Sequence, residues 1–334
     1  METFLHWQIE YLLILQNFRE LTHGIFNGFF SIATMFGEFA IPLMFMCLVY
    51  WFFNKKYGIY MLWNFFLGIM VNQFLKLTAC IYRPWVLDSR IKPVDSAIKL
   101  ATGYSFPSGH TGIAIGTWGA LAVKLWSNKL ARYGLIFLIL LVGFSRNYLG
   151  VHTPQDVIVS IITGSILLFL TDKILKWVEK GKNRDLCVWG IVILLNVLIL
   201  IYAELKSYPM DYLNGVLLAD PVKMRLDAFP KTGFIVGIFT GWLLDRRFVK
   251  YEPKTQISLW LKIVLFLIGV RLMMFLLDHT AQYYANLLGK PAGKLTSYFV
   301  TGIFITVIYP AIIKFISKLE TKQNISKRDI DNIL

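Results

Sequence analysis

Long apolar stretches separated by short polar connections dominate the chain. Runs of about 20 mostly apolar residues recur along its length, and such a run is long enough to cross the hydrocarbon core of a bilayer as a helix. The pattern therefore predicts an all-α protein, a polytopic membrane bundle of nine transmembrane helices. The predicted spans are residues 27–53, 57–80, 108–126, 132–150, 154–177, 186–205, 232–248, 257–278 and 296–317.

The first 25 residues follow a different pattern, in which Trp7 and Tyr11 alternate with the charged Glu10 and Arg19. Such a segment predicts a helix that lies in the membrane interface without crossing it. The sequence is therefore expected to have three parts. These are an interfacial helix at 1–25, a core of five spans at 26–180, and an extension of four spans with a polar tail at 181–334.

The distribution of charged residues predicts how the spans are oriented in the membrane. Only 16% of the 334 residues are charged, whereas about a quarter of a typical soluble domain is. The net charge is +14, but no basic stripe is interleaved with aromatic residues in a polar segment, so we expect no nucleic-acid partner. Every second connection is basic, as cytoplasmic loops are. The N-terminus is therefore predicted outside the cytoplasm and the C-terminus inside it.

Three short polar clusters lie beside the apolar spans, and this orientation places all of them on the outer side. The first contains Lys76 and Arg83, which are seven residues apart. The two side chains share a helix face if the second span continues that far. Cations that snorkel to a membrane surface are the alternative interpretation.

The second cluster is Pro107-Ser108-Gly109-His110, directly before the third span. Ser108 is suited to cap a helix, and the free amides of a helix N-terminus attract anions. Gly109 would let the backbone approach an anion closely. The alternative is an ordinary helix cap followed by a solvated histidine.

The third cluster contains Arg146, His152 and Asp156. The planar guanidinium of Arg146 matches the geometry of phosphate oxygens. A carboxylate four residues after His152 can hold one ring nitrogen and leave the other one nucleophilic. The run Thr153–Asp156 also has the form of a helix start, so Asp156 can be a capping residue as well.

Together the clusters resemble the tripartite signature of the type 2 phosphatidic acid phosphatases, a superfamily that also includes soluble vanadium haloperoxidases. The matching pattern is Lys76-x6-Arg83-Pro84, Pro107-Ser-Gly-His110 and Ser145-Arg146-x5-His152-x3-Asp156. The resemblance implies that residues 26–180 form a phosphatase core. It also implies a metal-independent phosphoric monoester hydrolase of the acid-phosphatase type that needs no cofactor.

The resemblance also assigns roles to individual residues. His152 would attack phosphorus and form a phosphohistidine while Asp156 orients its ring. His110 would protonate the leaving oxygen and later activate the water that hydrolyses the intermediate. The phosphate-binding residues would be Lys76, Arg83, Ser108, Gly109 and Arg146. No metal ligand is assigned, and the sequence has no carboxylate cluster suited to a metal.

A site at membrane-surface depth favours a phosphorylated lipid, either a phosphomonoester or a pyrophosphate, so membrane lipids are the expected partners. The nine-span layout is also similar to that of glucose-6-phosphatases and sphingosine-phosphate phosphatases, which keeps a sugar phosphate open. Phosphotransfer to an acceptor hydroxyl is a further alternative, and a transporter is the non-enzyme alternative. Short loops and isolated cysteines predict the cytoplasmic membrane of a bacterium, with the site facing the periplasm or the exterior. A membrane of the endoplasmic reticulum is the alternative location.

Three basic residues of the extension are candidates for substrate selectivity. Lys223 and Arg225 lie in the predicted outer loop 207–231. Arg271 lies inside the eighth span, where a charge is costly and is normally paired. Glu38 and Asp278 are its candidate partners, so a structural ion pair is the first interpretation of Arg271 and head-group recognition the second. For the loop 207–231, the alternative is an ordinary solvated connection.

Overall fold

The computed structural model describes residues 2–99, 101, 103–213, 215–253 and 257–331. The chain forms two compact units, each assembled from stretches that are far apart in sequence. The first unit contains Met1–Leu43, Tyr60–Lys176 and Leu198–Ala228, and the second contains Met44–Ile59, Trp177–Val197 and Phe229–Leu334. The division into three parts expected from the sequence stays a prediction.

Helices account for nearly all of the secondary structure in the described ranges. They are α1 (Glu2–Leu21), α2 (Asn27–Met35), α3 (Ala40–Leu48), α4 (Lys55–Ala79), α5 (Pro84–Leu87), α6 (Asp95–Ile98), α7 (Gly109–Ala114), α8 (Ala120–Lys124), α9 (Lys129–Tyr148), α10 (Pro154–Glu179), α11 (Arg184–Leu205), α12 (Pro221–Leu226), α13 (Ala228–Leu244), α14 (Leu259–Leu288), α15 (Lys290–Ile303) and α16 (Tyr309–Asp331). Four π-helical turns extend or join them, at Val49–Phe53, Ile115–Gly119, Asp245–Val249 and Phe304–Ile308. A single short hairpin pairs β1 (Tyr212–Leu213) with β2 (Val216–Leu217) in antiparallel register.

The all-helical fold agrees with the sequence, but the count of nine spans is not confirmed. Within the described residues, six helical segments are long and apolar enough to cross a membrane, and α2 with the bent α3 segment, at 44°, would make a seventh. The segment Gly109–Lys124 is about 24 Å long at about 1.5 Å per residue, less than the roughly 30 Å of a bilayer core. The predicted span 232–248 overlaps α13 and ends in the charged π-helical turn Asp245–Val249.

Small residues let the helices of the first unit approach closely. A Cβ atom on Gly37 would lie 2.6 Å from the carbonyl oxygen of His110, and one on Gly116 would lie 2.9 Å from the Cα atom of Phe65. Helices α2 and α7 both pack on α9. This close packing brings the N-terminus of α7 beside the C-terminal end of α9, where two of the polar clusters lie.

Helix α1 is attached to the same part of the first unit. Ile9 and Leu12 pack on Ile91, and Arg19 donates to the carbonyl oxygen of Tyr148 at 3.1 Å. The backbone amide of Gln155, at the start of α10, donates to Gln8 Oε1 at 3.0 Å. The predicted N-terminal helix is therefore present and contacts the ends of α9 and α10. Its location in the membrane interface stays a prediction.

In the second unit, irregular helical turns expose carbonyl groups that aromatic side chains then satisfy. The hydroxyl of Tyr50 donates to the carbonyl oxygen of Thr306 at 2.9 Å, and the indole of Trp51 donates to that of Ile305 at 2.9 Å. Both acceptors lie in the π-helical turn Phe304–Ile308. Because buried backbone carbonyls need partners, these contacts stabilise an interruption that would otherwise be costly.

Candidate active site

The predicted signature residues lie at helix ends of the first unit. Lys76 is in the last turn of α4, and Arg146 is in the last turn of α9. Arg83 immediately precedes α5, Ser108 caps α7, and Asp156 is in the first turn of α10. Helix ends leave backbone groups unpaired, so this part of the unit is polar although it lies among apolar helices.

A glycine turn brings His152 next to Arg146. Gly150 has φ +75°, a left-handed conformation that glycine adopts at little cost and that commonly ends a helix. The chain then turns back, and the amides of Val151 and His152 donate to the carbonyl oxygen of Arg146 at 3.1 and 3.3 Å. Asn147 Nδ2 holds the carbonyl oxygen of His152 at 2.8 Å.

His152 and Asp156 form a buried pair. His152 Nδ1 lies 3.1 Å from Asp156 Oδ2, and each side chain is 2% exposed. The same carboxylate oxygen accepts from the backbone amide of Thr153 at 3.0 Å and from Ser105 Oγ. Since a carboxylate oxygen only accepts, Nδ1 carries the proton and Nε2 keeps its lone pair. The expected orienting role of Asp156 therefore has a geometric basis.

Both capping expectations also fit the structure. Asp156 Oδ2 accepts from the amide of Thr153, and Thr153 Oγ1 accepts from the amide of Asp156 at 3.4 Å, as in a capping box. Ser108 Oγ accepts from the amide of Thr111 at 3.4 Å. The amide of Ser108 donates to the carbonyl oxygen of Asp156 at 3.0 Å, which ties the second cluster to the third.

Backbone carbonyl oxygens hold two of the cations. Arg83 Nε donates to the carbonyl oxygen of Gly103 at 3.1 Å, and its Nη1 lies 2.9 Å from His152 Nε2. Lys76 Nζ donates to the carbonyl oxygen of Tyr104 at 3.0 Å. Both cations are buried, with Lys76 9% and Arg83 6% exposed. Arg83 therefore lies at His152 Nε2, and neither cation of the first cluster snorkels to a surface.

Arg146 and His110 carry buried polar atoms with no hydrogen-bond partner among the described residues. Arg146 Nη1 donates to Thr34 Oγ1 at 2.7 Å. Within the described residues, Arg146 Nε and Nη2 have no acceptor, and His110 Nε2 has no hydrogen-bond partner. Unpaired buried donors are rare in folded proteins. Guanidinium donors in this state match a polyatomic oxyanion, which accepts several hydrogen bonds at once.

The surplus of positive charge also affects the imidazole. Burial, together with the nearby Arg83, Arg146 and Lys76, holds the pKa of His152 well below its usual range. A positive charge on the ring would lose its hydration and be repelled by these cations. His152 is therefore neutral at physiological pH, as a nitrogen nucleophile must be.

The three candidates in the extension are not brought into this cluster by any hydrogen bond or ion pair in the described part of the chain. Lys223 is exposed, and Arg225 Nε lies 3.5 Å from Glu204 Oε1. Arg271 is an exposed residue of α14 in the second unit. Asp278 is exposed as well, and the described residues contain no ion pair between Arg271 and Asp278. Selectivity roles for these residues stay predictions.

Sequence reasoning missed several residues that hold the site in place. Ser105 contacts both members of the His152–Asp156 pair, at 3.3 Å from the ring nitrogen Nδ1. Thr34 binds Arg146, and Asn72 Nδ2 donates to the carbonyl oxygen of Pro107 at 3.2 Å. Ser105 could have been found from its place three residues before Ser108. Thr34 and Asn72 come from distant helices and carry no local signal.

Comparison with known proteins identifies the family. The PAP2 superfamily profile matches residues 57–180. The undecaprenyl-diphosphatase BcrC of Bacillus subtilis (strain 168) is 32% identical over 148 residues, which cover 42% of this chain and 72% of that protein. The chain belongs to the PAP2 superfamily. The resemblance inferred from the signature is thereby confirmed, and membership supports a phosphatase that acts in a membrane.

Two other relatives extend the comparison. Phosphatidylglycerophosphatase B of B. subtilis (strain 168) is 30% identical over 141 residues, covering 40% of this chain and 66% of that protein. The glucose-6-phosphatase catalytic subunit 1 of Haplochromis nubilus is 24% identical over 330 residues, covering 86% of this chain and 92% of that protein. No solved structure matches the chain significantly.

Proposed function

We propose that this PAP2 protein hydrolyses the phosphomonoester or pyrophosphate of a membrane lipid through a phosphohistidine at His152. Nε2 attacks phosphorus in line, so that the N–P bond forms as the P–O bond to the leaving group breaks. His110, in its imidazolium form beside the anionic substrate, donates a proton to the leaving oxygen and becomes neutral. It then takes a proton from the water that cleaves the N–P bond, which returns His152 to its starting form.

The cations supply the electrostatic part of this reaction. Phosphoryl transfer depends largely on positioning and charge stabilisation, and Lys76, Arg83 and Arg146 surround the reacting nitrogen. Substrate oxygens would take the Arg83 donor that now points at His152 Nε2, which frees the lone pair. Ser108 and the amide of Gly109 complete the proposed phosphate site. We propose that no metal takes part.

One observation carries the proposal. The donors of Arg146 that lack partners lie in the same buried cluster as an imidazole whose tautomer is fixed by Asp156. This combination provides binding for an oxyanion and a nucleophile for its central atom. We further propose that the cluster faces the non-cytoplasmic side of the membrane. The basic connections lie at the other ends of the spans, and basic connections are typical of the cytoplasmic side.

The names of the relatives support a lipid substrate, since undecaprenyl-diphosphatase and phosphatidylglycerophosphatase B are named for lipid phosphates. A sugar phosphate is the second candidate. It is favoured by one observation, namely that the match to glucose-6-phosphatase continues through the C-terminal half of the chain. The undecaprenyl-diphosphatase BcrC matches only 42% of it.

The test is phosphate release by the detergent-purified full chain from undecaprenyl pyrophosphate, phosphatidylglycerophosphate, phosphatidate and glucose 6-phosphate, each with and without a chelator. We expect a lipid phosphate to have the highest kcat/KM and the chelator to have no effect. Labelled phosphate should appear on His152 in peptides from an alkaline quench. Turnover without any labelled histidine would contradict the mechanism, and a preference for glucose 6-phosphate would replace the proposed substrate class.

A further inference from the structure

The segments 206–213 and 215–228, here together called the strap, fold against the wall of the candidate site. It contains the hairpin β1–β2 and the short helix α12, and it belongs to the first unit. Asp220 caps α12, because its Oδ1 accepts from the amides of Val222 and Lys223 at 2.9 and 3.2 Å. The strap is therefore a built element with its own local structure.

Polar contacts fasten the strap to the chain between Lys76 and Arg83. Lys206 Nζ donates to the carbonyl oxygens of Leu77 and Thr78, the second at 2.8 Å. Tyr82 donates its hydroxyl hydrogen to Asp211 Oδ2 at 2.7 Å. The ends of α4 and α5, which carry the two cations, are thus attached to the strap from one side.

Met224 in α12 makes the apolar contact between the strap and the site. Its side chain is 3% exposed and lies in one apolar cluster with Leu77 and Tyr104. A Cβ atom on Gly103 would lie only 2.0 Å from Met224 Sδ, and Gly103 has φ +67°. Position 103 therefore has room for glycine alone while Met224 occupies this place.

Residues 103–105 each hold a different group of the site. The carbonyl oxygen of Gly103 binds Arg83 Nε at 3.1 Å, and that of Tyr104 binds Lys76 Nζ at 3.0 Å. Ser105 Oγ donates to Asp156. Any movement of this tripeptide would shift both cations and the carboxylate together. Met224 packs directly against it.

We propose that Met224 is a positioning residue for the phosphate site and that the strap acts through Gly103–Ser105 to fix Lys76 and Arg83. The inference rests on the proposed function, because the cations matter only if they bind the substrate phosphate. It also gives part of the chain beyond residue 180 a role in the reaction. Met224 itself touches neither the phosphate nor the nucleophile.

The test compares Met224→Ala with Met224→Leu in the purified full chain, using orthovanadate as a tetrahedral probe of the anion site. Small displacements of binding groups can cost about 100-fold in rate, so we expect roughly tenfold weaker vanadate binding and roughly tenfold lower kcat/KM in Met224→Ala. Met224→Leu fills a similar volume and should stay within about threefold of wild type.

Two controls separate positioning from general stability. Val222→Ala changes an exposed residue of the same helix, and Met273→Ala removes an equally buried methionine, 3% exposed, from the second unit. Both should leave vanadate affinity unchanged, and the unfolding temperature of Met273→Ala should fall as much as that of Met224→Ala. Should Met224→Ala fail to fold, Met224→Val carries the same comparison with a smaller expected loss. Wild-type vanadate affinity in a folded Met224→Ala or Met224→Val protein would overturn the inference while leaving the proposed function intact.

A double-mutant cycle sharpens the assignment to Gly103. Gly103→Ala alone should weaken vanadate binding, since its methyl group collides with Met224. In Gly103→Ala/Met224→Ala that collision is gone, so the combined loss should be smaller than the product of the two separate losses. Losses that simply multiply would show that Met224 does not act through Gly103. A wild-type protein that binds no vanadate would overturn the anion site and this inference together.

Discussion

In the second unit, the buried Asp245 forms an ion pair at 2.7 Å with Lys55, which is 12% exposed, and Asp245 Oδ1 also accepts from the amide of Tyr251 at 3.0 Å. Each charge of this pair faces an opposite one. The first unit instead buries three cations around two imidazoles, and Asp156, the carboxylate that contacts this cluster, is engaged by His152, Ser105 and Thr153. Because an unbalanced buried charge is costly, the arrangement in the first unit supports the proposed anionic ligand.

The contrast indicates how a functional site can be distinguished from a structural ion pair in a membrane protein. Both regions bury lysine or arginine, so burial alone does not separate them. The difference lies in the balance of charge and in donors without partners, which occur on Arg146 but not on Lys55. Variants in the two regions should therefore affect different properties of the protein.

The largest effect is expected for His152→Ala. Loss of the nucleophile should reduce phosphate release by about 10⁴-fold or more, while the unfolding temperature stays near that of wild type, because Asp156 keeps its contacts to Ser105 and Thr153. Phosphate release and thermal unfolding of the same preparation provide the measurement. Full activity in this variant would end the proposed mechanism.

Lys55→Met should do the opposite of His152→Ala, because it should lower the stability of the protein and leave its activity unchanged. Removing the cation leaves Asp245 charged and buried, which costs about 3–5 kcal/mol in the free energy of unfolding. We expect a marked fall in denaturation midpoint, but an unchanged kcat in the protein that remains folded. Lys55→Met/Asp245→Leu is the matched control and should recover much of the stability. An equal loss of kcat would remove the distinction between the two regions.

Asp156→Asn should cost less activity than loss of the nucleophile. The amide can no longer stabilise positive charge on the ring, and the orientation of His152 is less well defined, so we expect kcat to fall by about 10²- to 10³-fold. Comparison with His152→Ala under the same conditions is the measurement. Equal losses in the two variants would show that Asp156 does more than orient the imidazole.

Ser105→Ala is expected to have a smaller effect of the same kind. Hydrogen bonds to charged groups contribute about 1.5–3 kcal/mol, and Thr153 would still hold Asp156, so kcat should fall by roughly tenfold. Thr163→Val is a suitable control, since its hydroxyl binds only backbone carbonyl oxygens within α10. Identical activity in Ser105→Ala and Thr163→Val would exclude a role for Ser105 in positioning.

The sequence alone was sufficient to identify the signature residues. Where it did not predict a residue of the site, the reason is physical. His152 and Asp156 are four residues apart, so local helix geometry brings them together and the pairing could be foreseen. Ser105 and Thr34 reach the site through tertiary packing, which no local spacing encodes. The count of nine spans is not confirmed, because Gly109–Lys124 is short for a spanning helix, and hydropathy alone does not reveal where a helix begins.

The smallest expected effect is a shift in the pH dependence of activity. It tests whether the three surrounding cations lower the pKa of His152. The neutral imidazole is the attacking form, so activity falls when pH drops through its pKa, which burial and Arg83, Arg146 and Lys76 hold low. Activity should therefore persist below the usual histidine range. Lys76→Met removes one repelling charge, which raises this pKa and moves the acidic limb of kcat/KM to higher pH. Lys92→Met, in the connection between α5 and α6, should leave the limb unchanged. An unshifted limb in Lys76→Met would mean that burial, and not the surrounding cations, keeps the nucleophile neutral.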